Sequence, residues 1–146
     1  MKYYLLLPLL FLVGCTSYTT LRYETFSMQI PSWEDYAVLQ TAGITNGFSS
    51  SNEDCSFNLT ISRDTYLQVA HPFFERLRAS DPASILQYEV FEFFIALHYR
   101  LEGRLGDTRI STCPSGLTYF IDFSCIEDAY DSYSSIIQSS FDSMSC

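Results

Sequence analysis

The sequence predicts an α+β sandwich in which helices pack with a mainly antiparallel β-sheet. Three observations lead to this prediction. Short runs of alternating apolar and polar residues, the period of a half-buried strand, make up much of the chain. Two segments change to the helical period, one in the middle and one on the C-terminal side. The resulting order of strands, helix, strands and helix is typical of helices packed on an antiparallel sheet.

Four strands are predicted before the first helix. Phe26, Met28 and Ile30 alternate with polar residues, and Pro31 ends the pattern because proline cannot donate to a sheet ladder. Similar strand-like runs predict three further strands, at residues 37–42, 44–49 and 56–62.

The first helix is predicted over residues 64–80, where apolar residues follow the helical period. Pro72 either kinks this helix or begins a shorter one, because proline lacks the backbone donor that a helix interior needs. The residues expected on its buried face are Leu67, Ala70, Phe74 and Leu77.

Strands resume after this helix. Residues 85–101 form two strands or one long bent strand. The residues in step on one face are Phe93, Ile95, Leu97, Tyr99 and Leu101. His98 falls on the opposite face. Further strands are predicted at residues 108–112 and 117–124.

The final helix has the clearest pattern in the chain. Ser124 and Glu127 have the spacing of a capping box, which predicts that the helix begins there. Acidic residues follow in the first turn, where the helix dipole is positive. The apolar stripe consists of Tyr130, Tyr133, Ile137, Phe141 and Met144.

The N-terminal residues predict a leader peptide. After Lys2, residues 3–13 are almost entirely apolar. This run is shorter than the roughly 20 residues that span a bilayer, and it fits the central region of a signal peptide. The following Leu12-Val13-Gly14-Cys15 resembles the lipobox of prokaryotic lipoproteins, whose cysteine is lipidated on sulfur and becomes the new N-terminus. The alternative is an ordinary signal peptide cut near Ser17, which would discard Cys15.

The leader divides the chain into three parts: a signal peptide at residues 1–14, a lipidated tether at residues 15–21 and one globular domain at residues 22–146. We expect the domain to lie on the extracytoplasmic side of a cell membrane or an outer membrane. Two or more acyl chains would make the attachment stable, since a single chain holds only weakly.

Composition narrows the classes of partner. The chain carries a formal net charge of −9, and its one lysine, Lys2, lies in the predicted leader. An acidic surface repels nucleic acid, so we expect no nucleic-acid partner, whereas basic protein patches stay compatible with it. The 12 Phe and 11 Tyr supply enough apolar area to exclude a disordered chain.

The other four cysteines form an even set, which in an oxidising compartment predicts two disulfides. A strand at residues 117–124 holds its ends more than about 20 Å apart, which excludes Cys113 with Cys125. A final helix about 27 Å long excludes Cys125 with Cys146, because a disulfide needs Cα atoms within about 7 Å. The surviving pairs are Cys55 with Cys125 and Cys113 with Cys146. The alternative is four buried thiols in a reducing compartment.

Three short motifs together resemble a known family. In the run 26–33, an alternating strand ends in a proline that is followed closely by tryptophan. Gly47-Phe48-Ser49-Ser50 precedes an acidic turn, and the aromatic strand 119–123 leads into a helix that contains Ser140-Phe141. These motifs resemble PsbP-like domains of the Mog/PsbP fold, and the likeness covers residues 22–146. The resemblance implies that the sandwich has α/β/α layers.

The resemblance implies binding rather than chemistry. The family includes photosystem assembly and stabilising factors, a GTPase-binding nuclear import factor and many prokaryotic lipoproteins. We therefore expect a lipid-anchored extracytoplasmic module that binds a protein partner or helps a membrane complex to assemble.

Motifs for catalysis are missing from the sequence. It contains no nucleophile elbow, zinc-binding His pair or phosphate-binding loop. His71 and His98 are the only histidines, and both are expected at the surface. We therefore expect no enzyme, no catalytic residue and no cofactor.

Two acidic clusters could hold a hard cation through oxygen ligands, but neither has the spacing of a calcium loop. Glu53 with Asp54 is expected to be a solvated turn. Glu127 with Asp128 and Asp131 is expected to be a charged helix start. We expect no metal site.

The rival hypothesis is a small extracytoplasmic hydrolase or ligand carrier with a cleft between sheet and helix. An apolar pocket that holds His98 or His71 beside an acid and a serine would favour it. A filled core with both histidines in solvent would favour the binding module.

Overall fold

The computed structural model of the protein describes residues 17–41 and 44–146. The predicted signal peptide and the predicted lipidation site at Cys15 lie outside the described residues. Within the described ranges, no helix has the length and apolar character that a bilayer crossing requires.

Nine strands and two helices follow one another along the described chain. In order they are β1 (Tyr18–Tyr23), β2 (Phe26–Pro31), β3 (Asp35–Thr41), β4 (Ile44–Ser51), β5 (Cys55–Ser62), α1 (Tyr66–Ser80), a 3₁₀ turn (Pro82–Ser84), β6 (Ile85–Val90), β7 (Phe94–Leu101), β8 (Arg104–Thr112), β9 (Thr118–Ile126) and α2 (Glu127–Asp142). Of the two alternatives for residues 85–101, the chain therefore adopts two strands.

Seven strands form one antiparallel sheet in the order β3-β4-β5-β9-β8-β7-β6, and β1 pairs with β2 as a separate hairpin. Helix α1 packs on one face of the sheet against β7, β8 and β9. On the other face α2 packs against β8 and β9 and also contacts β2. The predicted α+β fold, with helices on an antiparallel sheet, is confirmed.

The larger core lies on the α2 face. It is mainly aromatic, and it joins the hairpin, the middle of the sheet and α2. Phe123 in β9 is fully buried, with its ring centroid 4.7 Å from that of Phe57 in β5 and 5.4 Å from that of Phe141 in α2. Phe26 of the hairpin stacks on Tyr119 at 4.1 Å. These contacts fix the hairpin and α2 on the same face.

Both predicted cysteine pairs stand at disulfide distance on this face. Cys55 lies directly opposite Cys125 in the β5–β9 ladder, and their Cα atoms are 4.0 Å apart. The Cα atoms of Cys113 and Cys146 are 5.4 Å apart. As the helix length required, α2 returns along β9 and brings residue 146 back beside the start of that strand.

The α1 face carries smaller apolar clusters. Phe73 of α1 lies 5.1 Å from the ring of Phe120 and 5.4 Å from that of Tyr99. This contact sets the rotation of the helix, so its buried residues are Ala70, Phe73 and Leu77. The predicted burial of Leu67 is wrong, since its side chain is exposed.

Two other details of the helices differ from expectation. Pro72 lies inside one unbroken helix that begins after Thr65, whose side chain forms a capping box with Gln68. Ser124 does not cap α2, because it belongs to β9 and its carbonyl accepts a 2.7 Å hydrogen bond from Arg104. The residue at the start of α2 is instead Ile126, which makes no side-chain capping bond.

Part of the segment predicted as a tether is a strand. Residues 18–21 belong to β1, which pairs along its whole length with β2. The alternation is weak in β1 because most of its side chains are exposed, which is why the sequence pattern does not show the strand. The domain predicted to begin at residue 22 therefore includes residues 18–21 as well.

Candidate functional site

A groove runs between α2 and the strands at one end of the sheet. Helix α2 packs mainly on β8 and β9 and reaches β7 only through side chains, so most of the α2 face of β6 and β7 is left open by the described elements. The resulting space has a volume of about 530 Å³. Its floor comes from β6, β7 and β8, and its wall comes from α2.

Three side chains from three elements meet in this groove. His98 of β7 lies opposite Asp107 of β8 in the ladder, and its Nδ1 is 2.9 Å from Oδ1 of Asp107. The hydroxyl of Tyr130, on α2, donates to the other carboxylate oxygen, Oδ2. Both oxygens of Asp107 are thus engaged, which fixes the imidazole and the phenol relative to each other.

The turn between β7 and β8 creates this pairing. Glu102 and Gly103 both have positive φ values, 51° and 75°, as a tight two-residue hairpin turn requires. His98 and Asp107 are equally far from the centre of that turn, so they face each other on the same side of the sheet. Sequence reasoning missed Asp107, although the Glu-Gly turn signal together with this symmetry could have found it.

The surroundings of Tyr130 favour its neutral form. Burial raises the pKa of the Tyr130 phenol, and the hydrogen bond to the Asp107 carboxylate raises it further. The phenol therefore remains a donor to Asp107 over the ordinary pH range. Within the described residues, Nε2 of His98 has no hydrogen-bond partner, so it is the ring nitrogen free to meet a ligand.

Arg109 closes the inner end of the groove. Its guanidinium lies 4.6 Å from the ring centroid of Phe141 and 5.7 Å from that of Phe94. It also donates to the backbone carbonyl of Phe141 at 3.2 Å, near the negative end of the α2 dipole. Burial lowers the pKa of Arg109. Its contacts tie α2 to the sheet, so we assign it a structural part in shaping the groove.

Serine side chains also line the groove. Ser134 and Ser135 lie on α2, one turn after Tyr130. The hydroxyl of Ser134 donates to the carbonyl of Asp131 in its own helix at 2.9 Å. Among the residues that the structure describes, no serine hydroxyl bonds to His98. The arrangement offers a polar binding surface.

The two histidines differ in their exposure and location. His71 is exposed on α1, as expected. The expectation that His98 is a plain surface residue is wrong: it does lie on the face opposite Ile95 and Leu97, but 29% of its side chain is exposed and it belongs to the groove. The sequence alone could not show that α2 packs beside it.

The acidic clusters are held by other contacts. Asp54 accepts a 3.2 Å hydrogen bond from the hydroxyl of Tyr133. Glu127 forms an ion pair with Arg100 at 2.7 Å. Across residues 17–41 and 44–146, no three metal-ligating side chains come together.

Comparison by sequence finds no relative: no protein-family model matches the chain, and no curated protein is significantly similar to it. Comparison by structure finds proteins of similar fold. Cyanobacterial PsbP (CyanoP) from Synechocystis matches with a TM-score of 0.63 and 17% identity over 90% of this chain and 94% of its own. LpqN of Mycobacterium tuberculosis, described as involved in cell envelope biogenesis, matches at a TM-score of 0.48 and 9% identity, over 90% and 91% of the chains. This chain has the PsbP-like fold.

Proposed function

We propose that this protein is a lipid-anchored extracytoplasmic binding module whose ligand site is the groove between α2 and β6–β8. One observation carries the proposal: His98, Asp107 and Tyr130 come from three elements and are bonded to one another where the sheet is otherwise open. Polar side chains that are already fixed lose less conformational freedom when a ligand binds, so they bind it at a smaller entropic cost. A solvated sheet surface needs no such network.

The proposed location depends on two features of the chain. The pairs Cys55 with Cys125 and Cys113 with Cys146 stand at disulfide distance, and structural disulfides persist in oxidising compartments. The lipobox-like residues before Cys15 favour lipidation of that cysteine, and the lipid would be the anchor. Because β1 begins at Tyr18, the domain would be held close to the membrane surface.

The proposed ligand is a polar segment of a partner protein. The open floor of the groove carries the carboxylates of Glu89 and Asp107, while the one arginine there is engaged with Phe141. The whole chain is acidic, with a net charge of −9. A segment with a basic side chain and a backbone N–H that donates to Nε2 of His98 fits this surface best.

Site-specific photocrosslinking in the native membrane tests the binding module. A benzoylphenylalanine at Ser134 lies in the groove, and the same residue at Asn58 lies on the opposite face of the sheet and serves as the control. We expect a defined protein adduct from position 134 only, and we expect it to weaken in His98→Ala. Equal adducts from both positions would contradict the proposal.

The lipid anchor needs a separate test. Cys15→Ser should abolish incorporation of a radioactive fatty acid and leave uncleaved precursor or soluble protein. Label retained by the Cys15→Ser protein would overturn the lipoprotein assignment, whatever the groove binds.

A second candidate function is a small hydrolase or ligand carrier. The observation in its favour is that Asp107 holds Nδ1 of His98, as an acid orients a catalytic histidine, while Ser134 and Ser135 line the same groove. Assaying the protein for hydrolysis of a panel of esters tests the hydrolase. Turnover that is lost in both His98→Ala and Ser134→Ala, but kept in Ser56→Ala, would replace the binding module with the hydrolase.

A further inference from the structure

The edge strand β6 carries an unusual surface. It ends the sheet, and its outer side pairs with no strand among the described residues. Tyr88 and Val90 are each 59% exposed, and Leu86 is exposed beside them. Proteins usually protect such an edge, because unpaired backbone groups beside apolar side chains recruit another strand.

The backbone of β6 has a defined pattern of free groups. The N–H of Phe91 donates to the carbonyl of Phe94 at 2.8 Å. In an antiparallel ladder the bonded residues alternate, so Glu89 and Gln87 also direct their backbone groups toward β7. The N–H and C=O groups of Tyr88 and Val90 therefore point outward, away from the sheet.

We propose that β6 pairs with β6 of a second copy of this chain, antiparallel, about a twofold axis at Tyr88. In this register the outward backbone groups of the two Tyr88 residues bond to each other. Gln87 of each copy lies opposite Glu89 of the other, so an amide faces a carboxylate. Val90 lies opposite Leu86, so apolar residues also meet.

Charge and strand length favour this strand register over the two adjacent registers. A residue whose backbone groups point outward must pair with another such residue of the second copy. The two β6 strands can therefore slide past each other only by shifts that preserve this pairing. One such shift places Glu89 opposite Glu89 of the second copy, and like charges directly opposite are destabilising. The shift the other way moves the axis to Gln87 and places Val90 beyond the end of β6. Only the axis at Tyr88 avoids both faults.

The side chains on the α1 face fit the same axis. Each Tyr88 ring already lies 6.1 Å from Phe74 of its own α1, in an edge-to-face arrangement. The second copy adds its own Tyr88 beside the first, which gives a cross-strand aromatic pair. Four aromatic rings would then form one cluster across the axis.

The pairing also has a consequence for the groove. Antiparallel pairing at an edge keeps the two α2 faces on one side, and Gln87 and Glu89 line the groove. The two grooves would therefore meet across the axis. The two β1–β2 hairpins also lie on that side, which is compatible with two anchors in one membrane.

Cysteine crosslinking in the full-length membrane-bound protein tests the axis. In Tyr88→Cys the two new thiols face each other, with Cα atoms about 5.5 Å apart, and mild oxidation should join them. Val90→Cys is the matched control. In the proposed register residue 90 lies opposite residue 86 of the second copy, so the Cα atoms of the two cysteines at position 90 are about 13 Å apart along the strands. We expect at least about tenfold more reducible dimer from Tyr88→Cys than from Val90→Cys.

Each contrary result overturns the proposal. Equal dimer from both variants would mean random collision, and no dimer from a Tyr88→Cys thiol that is open to alkylation would mean that β6 stays unpaired. A reducible adduct of Tyr88→Cys with a different protein would assign the edge to another partner.

A charge variant tests the register independently. Adding Gln87→Glu to Tyr88→Cys places carboxylates opposite one another, and it should reduce the dimer about tenfold at low salt, with recovery at high salt. Adding Glu89→Gln instead should leave the dimer unchanged. A loss with Glu89→Gln equal to the loss with Gln87→Glu would mean that repulsion between like charges is not the cause, and it would reject the proposed register.

Discussion

Two parts of the central sheet are left open by the described helices, and they differ in chemistry. On the α1 face, the open part over β3–β5 carries small polar side chains, among them Ser49, Ser51 and Asn58. On the α2 face, the open part over β6–β8 carries His98 and Asp107, bonded to each other and to a helix. The difference shows that an uncovered sheet is not in itself a site. A site requires groups that the fold holds in place.

The two faces also differ in how they are held together. The α2 face has the large aromatic core and both cysteine pairs, whereas the α1 face has two small apolar clusters. We infer that the α2 face supplies most of the stability and supports the groove beside it.

Removing an aromatic ring from each core should give unequal losses. Phe123→Ala on the α2 face should lower the free energy of unfolding by about 4 to 5 kcal/mol, because the ring is surrounded and the cavity cannot collapse. Phe73→Ala on the α1 face should cost about 3 kcal/mol, since a helix can shift toward the gap. Urea unfolding measures both. A larger loss for Phe73→Ala would reverse the assignment of the dominant core.

Removing a cysteine pair from the α2 face should also lower the free energy of unfolding. Replacing Cys55 and Cys125 together with Ala should cost about 2 to 4 kcal/mol, and replacing Cys113 and Cys146 should cost about half a kcal/mol less, because 33 residues separate them rather than 70. Urea midpoints under non-reducing conditions provide the measurement. Non-reducing peptide mapping checks the pairing, and a Cys113–Cys125 peptide would contradict it.

The network in the groove should contribute less than either core. Tyr130→Phe removes the phenol donor to Asp107 and should cost about 1 to 2 kcal/mol. The pKa of Tyr130 is raised, so the hydrogen bond is present below its ordinary value of about 10 and is lost only as the pH rises above that. The cost should therefore be equal at pH 7 and pH 9. Tyr36→Phe, in a side chain that is 72% exposed, is the control and should change nothing measurable.

The smallest effect is expected on the α1 face, at Asp122. Its carboxylate accepts from the hydroxyls of Tyr99 at 2.8 Å and Thr108 at 2.7 Å. Burial nevertheless raises the pKa of Asp122, so the folded state holds this proton more tightly than the unfolded state does. Stability therefore falls as the pH rises from about 3.9, the ordinary value, through the folded pKa.

Asp122→Asn keeps an acceptor for both hydroxyls and removes the buried charge. It should stabilise the protein at pH 7 by about 1 kcal/mol or less, with a smaller gain at pH 4. Urea midpoints at the two pH values measure this. Glu92→Gln, at an exposed site, should show no such difference. Destabilisation by Asp122→Asn at pH 7 would mean that the ionised form is needed.

The alternation of apolar and polar residues predicted the parts of the fold that depend on neighbouring residues in the sequence. The alternation around Phe57 and the cysteine distances follow from strand and helix dimensions alone, and they led to the β5 and β9 assignments and to both cysteine pairs. The resemblance to PsbP-like domains added the layer arrangement. Ser124 was assigned wrongly because a capping spacing is short, and the 2.7 Å contact with Arg104 that keeps it in β9 is not local in sequence.

The candidate site was largely beyond sequence reasoning. His98 was placed on the correct face of its strand, but its partners come from β8 and α2. Tyr130 was read as part of the apolar stripe of α2, since nothing in a helical period separates a tyrosine that packs from one that donates. Whether Tyr130 packs or donates a hydrogen bond depends on where α2 lies across the sheet. That position follows from the core around Phe141.

The place of β9 in the sheet has a consequence for synthesis. Strands β3–β5 form one meander and β6–β8 form another, and β9 lies between them although it follows both in the chain. Each meander can form early from neighbouring residues, but the inner edges of β5 and β8 stay open until β9 has been made. Open edges of this kind are templates for misassembly with other nascent chains. The interval between the completion of β8 and the arrival of β9 is therefore when this protein most needs dilution or a chaperone.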